Sequence, residues 1–212
     1  MLQIIKPCSI FPDAERHAKD LLEDIAKAHD GRKLKVLRQR IGRYLKSHDA
    51  HLIAVEQAFR KMHLPASKAK IQAIAERLKP WAGSSEPAKV SLRSKGNNGD
   101  GAYRLTMNFG VENRPLQYLI KAPLSVIADL HPNQYGSVGV QAAILQVVEL
   151  MKQGHLWAVE LDIKDCFPSF KEEELYKFLF LPKEVIRHQC RTARAMSRRW
   201  HRAPAARNRA IG

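Results

Sequence analysis

The stretch YRLTMNFGVENRPLQYLI, residues 103–120, decides how the chain is divided, because its hydrophobic pattern changes within a few residues. YRLTMNFG, residues 103–110, reads as a strand. The following NRPLQYLIKAPLSVIADLHP opens with a proline suited to the first turn of a helix, keeps apolar residues in helical register and closes on Pro132. Upstream the reading is helical. Residues 13–80 carry apolar side chains at helical spacing, among them Leu21, Leu22 and Ile25, Leu37, Ile53 and Val55, and Ile71, Ile74 and Leu78. Breaks at Gly31, His48-Asp49 and Pro65 divide that region into three or four short helices.

Between the helices and the strand lies WAGSSEPAKVSLRSKGNNGDG, residues 81–101, dense in Gly, Ser, Asn and Pro. It reads as a linker or a loop. Downstream, VQAAILQVVELMKQG is a second helix with Gly154 in the C-terminal capping position. LWAVELDI, residues 156–163, has the look of a strand that could be buried on both faces. KEEELYKFLFL is a third helix with acids in its first turn, where they suit the helix dipole. Helices alternating with strands predict an α/β or α+β fold with a helical N-terminal region.

With 212 residues of which 45% are hydrophobic, the chain can bury a real core, and a mainly disordered protein is excluded. Its net charge of +15 favours a polyanionic partner, nucleic acid or an acidic membrane surface. The charge is uneven. Residues 187–212 hold eight Arg and no Lys, Asp or Glu, so the first 186 residues carry only +7. Cys8, Cys166 and Cys190 are too far apart for a Cys-x-x-Cys pair and odd in number, which points to a reducing, cytoplasmic setting. The N-terminal apolar patch is interrupted by Pro7, and neither a signal peptide nor a membrane span is expected.

One carboxylate stands out in HLWAVELDIKDCFPSF, residues 155–170, where Asp162 sits among Val159, Leu161 and Ile163. In open α/β sheets chemistry gathers where strands end, and an Asp there needs a cation or hydrogen-bond donors. A magnesium ion would satisfy it. So would the N-terminus of the next helix, or an ion pair with Lys164 or Lys171. The nine His are scattered without zinc-ligand spacing.

The stretch AVELDIKDCFPSF resembles the first palm motif of reverse transcriptases, in which an apolar strand ends in Asp and an aromatic follows five residues later. YRLTMNFGVENRPLQYLI, DLHPNQYGSVG, a helix and the Asp strand come in the same order as in bacterial reverse transcriptases of the retron, group II intron and diversity-generating kinds. The likeness covers roughly residues 93–188. It implies partial fingers and palm of a right-hand polymerase over 102–188, with 81–101 as linker or fingertip loop and 189–212 as an Arg-rich tail. It also implies RNA-directed DNA polymerase chemistry on an RNA template and a DNA primer, with dNTP as substrate. Asp162 would be a catalytic ligand of two Mg²⁺ ions, and the backbone carbonyl of Ile163 a further oxygen. Phe167 would lie beneath the incoming sugar, and Arg104 would grip the triphosphate, with Lys95 or Arg93 as the second cation. Arg114 would face the template backbone. The residue types alone equally allow Phe167 as an ordinary core side chain, and Arg104 and Arg114 as solvated surface charges. Asp165 is read as part of the turn into the next helix, and the Arg-rich continuation usual after a Tyr-Gly turn such as Tyr135-Gly136 is missing.

The family's later elements, Gly-x-Pro-Gln-Gly and Tyr-x-Asp-Asp, do not occur after Phe170, and no carboxylate follows Glu184. One Asp cannot hold two Mg²⁺ ions, so this chain is expected to be inactive by itself, a truncated or frameshifted member. The tail CRTARAMSRRWHRAPAARNRAIG then has two readings: out-of-frame text from a GC-rich gene, or an RNA-binding arm using Arg198 and Arg199 around Trp200. Two further function classes stay open, a non-catalytic RNA-binding protein and a helical interaction module in residues 1–80.

Overall fold

The computed structural model describes residues 9–84, 86, 89–94, 103–128, 134, 139–157, 159 and 171–188. The chain divides into two compact units, Met1–Ile127 with Glu172–Gly212, and Ala128–Lys171.

The first unit is a helical assembly bearing one hairpin. Helix α1 spans Pro12–Asp30, α2 Leu34–Lys46, α3 His48–Lys61 and α4 Lys68–Ala75; α5 spans Asn113–Ile127. In α1, Ala14, Ala18, Leu21, Leu22, Ile25 and Ala28 fall on one face and are all buried. Helix α2 repeats the pattern with Leu37, Ile41, Tyr44 and Leu45. Helix α3 is different: it buries nine residues around its circumference, from Ala50 to Phe59, and packs against α1, α2, α4 and α5. It is the centre of the core. Leu116, Leu119, Ile120 and Ile127 of α5 join that core, as do Leu181, Val185 and Ile186. The helical region is thus, over its described residues 9–80, continuous in packing with the helix that follows the hairpin.

Two polar groups go inside with α3, and each is supplied with partners, as burial requires. Glu56 is 4% exposed and accepts hydrogen bonds from Arg60 (2.5 Å), the Ser9 hydroxyl (2.6 Å) and the Ile10 N–H (3.1 Å). It thereby fastens the segment before α1 to the core. His51 lies between two helix ends, its Nε2 2.8 Å from the Leu45 carbonyl and its Nδ1 3.2 Å from the Ala75 carbonyl.

Residues 89–94, expected as loop, form a strand instead. β1 (Lys89–Ser94) pairs antiparallel with β2 (Tyr103–Asn108), from Lys89 opposite Asn108 to Ser94 opposite Tyr103. The surrounding Gly, Ser and Asn obscured the alternation in VSLRS, and the pairing with β2, about fifteen residues away along the chain at its middle rung, is what makes the segment a strand. Helix α5 starts as expected but ends at Ile127 rather than at Pro132, with Pro123 buried inside it. Within the first unit, α7 (Glu172–Phe178) and a further helical turn over residues 183–188 complete the described elements.

In the second unit α6 spans Val140–Lys152 and has no buried residue. Its end is built as anticipated: Gly154 takes φ +94°, its N–H meets the Met151 carbonyl at 3.1 Å and the His155 N–H meets Leu150 at 3.1 Å. The strand expected over 156–163 is not seen in its described part. Leu156, Trp157 and Val159 have no regular structure and are 75%, 95% and 81% exposed. A strand buried on both faces needs neighbours to satisfy its backbone, and the only pairing among the described residues is β1 with β2.

Candidate nucleic-acid interface

The hairpin owes its position to a lock at its base. The Glu86 carboxylate accepts from the N–H groups of Val111 (2.9 Å), Glu112 (2.9 Å) and Asn113 (3.1 Å), the groups that a helix start leaves without partners. In return the Asn113 side chain donates to the Glu86 carbonyl at 2.7 Å. Ser84 binds both sides, accepting from the Glu86 N–H at 3.0 Å and donating to the Glu112 carboxylate at 3.0 Å. Gly110 leaves room for this lock: a Cβ at that position would fall on the Glu86 carboxylate, which would have to shift away from its three N–H partners. The two ends of the hairpin are therefore tied together and to the first turn of α5.

Above that lock the register pairs Lys89 with Asn108, Ser91 with Thr106 and Arg93 with Arg104. Alternate residues of a strand share a face, so these three pairs occupy one face of the ribbon. Ser91 and Thr106 confirm the pairing through hydroxyls 2.8 Å apart. The sequence singled out Arg104 with Lys95 or Arg93 as its companion; the register sets Arg93 opposite Arg104, and Lys95 lies outside the described residues.

Arg114 is partly exposed in the first turn of α5, where no acidic residue of the helix accompanies it. A cation is unfavourable at that end of a helix, and the Glu86 carboxylate supplies the missing negative charge. The lock around Glu86 and Gly110 was not read from the sequence; the isolated acid in the Gly-Ser-Pro stretch was its only signal.

Asp162, Ile163, Phe167, Arg198 and Arg199 lie outside the described residues, as do Asp165, Tyr135 and Gly136. Among the described residues no group of three or more His, Cys, Asp or Glu could hold a metal ion, and no helix is long and apolar enough to cross a membrane. No family model matches this chain, and neither a curated protein nor a solved structure matches it.

Proposed function

We propose that the chain is a member of the bacterial reverse transcriptase family, comprising a helical N-terminal region, the fingers hairpin and the first palm motif. The observation that carries the reading is the rung joining Arg93 to Arg104 on a hairpin anchored to the start of α5. A paired-arginine rung suits the triphosphate of a dNTP, because guanidinium groups bind phosphate oxygens through several donors at once. In this reading Asp162 and the Ile163 carbonyl hold Mg²⁺, Phe167 lies beneath the sugar, Lys95 adds charge at the fingertip and Arg114 meets the template backbone. Magnesium, when bound, would stabilise the charge that develops on the transferring phosphate. Within these 212 residues Asp162 has no Tyr-x-Asp-Asp partner, so binding of primer–template and dNTP is expected without extension.

The test is a ternary-complex assay with a labelled RNA–DNA primer–template. Added Mg²⁺ and cognate dNTP should tighten the complex, and Asp162→Ala or Arg104→Ala should abolish that tightening by roughly tenfold or more. Primer extension that Asp162→Ala removes would overturn the expected inactivity. RNA binding indifferent to both substitutions and to dNTP would overturn the family reading in favour of a non-catalytic RNA-binding protein. The basic balance of the chain suits that second reading as well as the first.

A further inference from the structure

Residues 31–48, GRKLKVLRQRIGRYLKSH, contain seven Lys and Arg and no Asp or Glu. They form α2 and its approach, and the helix sorts them by face. Leu37, Ile41, Tyr44 and Leu45 are buried, while Lys35, Arg38, Arg43 and Lys46 are exposed. At 100° per residue the four cations fall within one outward arc that also holds Gln39 and Gly42. Arg40 lies outside the arc and is paired with Asp24. Lys35, Arg38 and Arg43 pair with no carboxylate among the described residues, and Lys46 sits over the Trp81 ring, 5.5 Å from its centroid. The arrangement costs free energy through like-charge repulsion, which a bound polyanion would relieve.

We infer that the outer face of α2 is a docking surface for the phosphate backbone of RNA. From Lys35 to Lys46 the stripe runs about 16 Å, long enough to meet several phosphates of a nucleic-acid backbone. Gly42 lies in the middle of it, and a Cβ there would meet nothing within 4 Å. Packing does not ask for glycine at that position, and helix propensity disfavours it; a backbone that a sugar–phosphate chain approaches closely is served by it. A lipid surface fits less well, because an interfacial helix inserts an apolar face and that of α2 is already buried in the core. The identity of the polyanion as RNA rests on the proposed function; the charge of the face does not.

The full chain is titrated against a short labelled RNA duplex by fluorescence anisotropy at salt concentrations from about 50 to 200 mM. The variant Lys35→Gln/Arg38→Gln/Arg43→Gln, checked by circular dichroism for unchanged helicity, should bind at least about tenfold more weakly and lose about two to three units of the log–log salt slope. Gly42→Gln should raise the melting temperature and still weaken binding severalfold. Unchanged affinity and slope in the triple variant overturn the inference, as does binding of the same strength to phosphatidylserine vesicles through the same three side chains. The hairpin variant Arg93→Gln/Arg104→Gln separates the two proposals: if it leaves dNTP-dependent tightening intact while the α2 variant loses RNA, the family reading fails and the docking face stands.

Discussion

Helices α2 and α3 are joined through a single residue, Ser47, and use their side chains in opposite ways. Helix α3 is enclosed; even its acid and its central histidine are buried and partnered from inside the protein. Helix α2 buries one stripe and turns a face of a single sign to solvent. The first is organised for stability. The second accepts electrostatic repulsion that contributes nothing to the fold. Neighbours in the chain, with comparable lengths, therefore separate the structural and the interactive tasks of this region, and substitutions should separate them too.

The largest effect on the stability side is expected from Phe59→Ala in α3. Phe59 is fully buried, and its removal should cost about 3–5 kcal/mol, read from the urea midpoint, with RNA affinity of the remaining folded protein unchanged. If α3 proved tolerant, the contrast between the two helices would collapse.

Glu86→Ala comes next, at about 1–3 kcal/mol, because three helix-start N–H groups lose their acceptor. Gly110→Ala should be comparably harmful in the native chain and much milder in the Glu86→Ala background, since the overlap is with that carboxylate. A double-mutant cycle by denaturation measures this, and simple additivity would contradict the lock.

Smaller effects are expected at two helix ends. Arg32 and His63 hold φ +52° and +53°, and the N–H groups of Lys33 and Leu64 reach back to Ala28 and Phe59 at 3.2 and 3.0 Å. This is the cap that Gly154 supplies in α6, made with residues that have a Cβ. Arg32→Gly and His63→Gly should each raise stability by up to about 1 kcal/mol, measured calorimetrically.

The smallest concerns Tyr44, on the buried side of α2. Burial pushes its hydroxyl above the ordinary tyrosine range. An unfolded tyrosine ionises near pH 10, so the stability linked to keeping Tyr44 neutral is full below about pH 10 and declines as the pH rises past it. Tyr44→Phe should flatten that part of the stability profile, followed by chemical denaturation at several alkaline pH values.

Helices α1, α2 and α5 were legible in the sequence because each buries a stripe whose spacing can be counted, as Leu37, Ile41 and Leu45 illustrate. The C-terminal glycine of α6 and the acids opening α7 were legible for the same local reason. β1 was not, because a strand is made by its partner and VSLRS gains its meaning only opposite YRLTM of β2. Of the candidate site, the sequence offered Arg104 together with a choice between Arg93 and Lys95. The cross-strand register places Arg93 opposite Arg104, which no linear spacing could do, and Lys95 lies outside the described residues.

What the sequence alone determined is periodic and local: where most helices lie, which residues turn inward, and that the charge is strongly positive. Tertiary structure decided three further things. The helical region and α5 share one core, Glu86 reaches across the hairpin to cap a helix 27 residues away, and four of the α2 cations gather on one exposed face. Each depends on contacts between distant parts of the chain, whose energies no local pattern encodes.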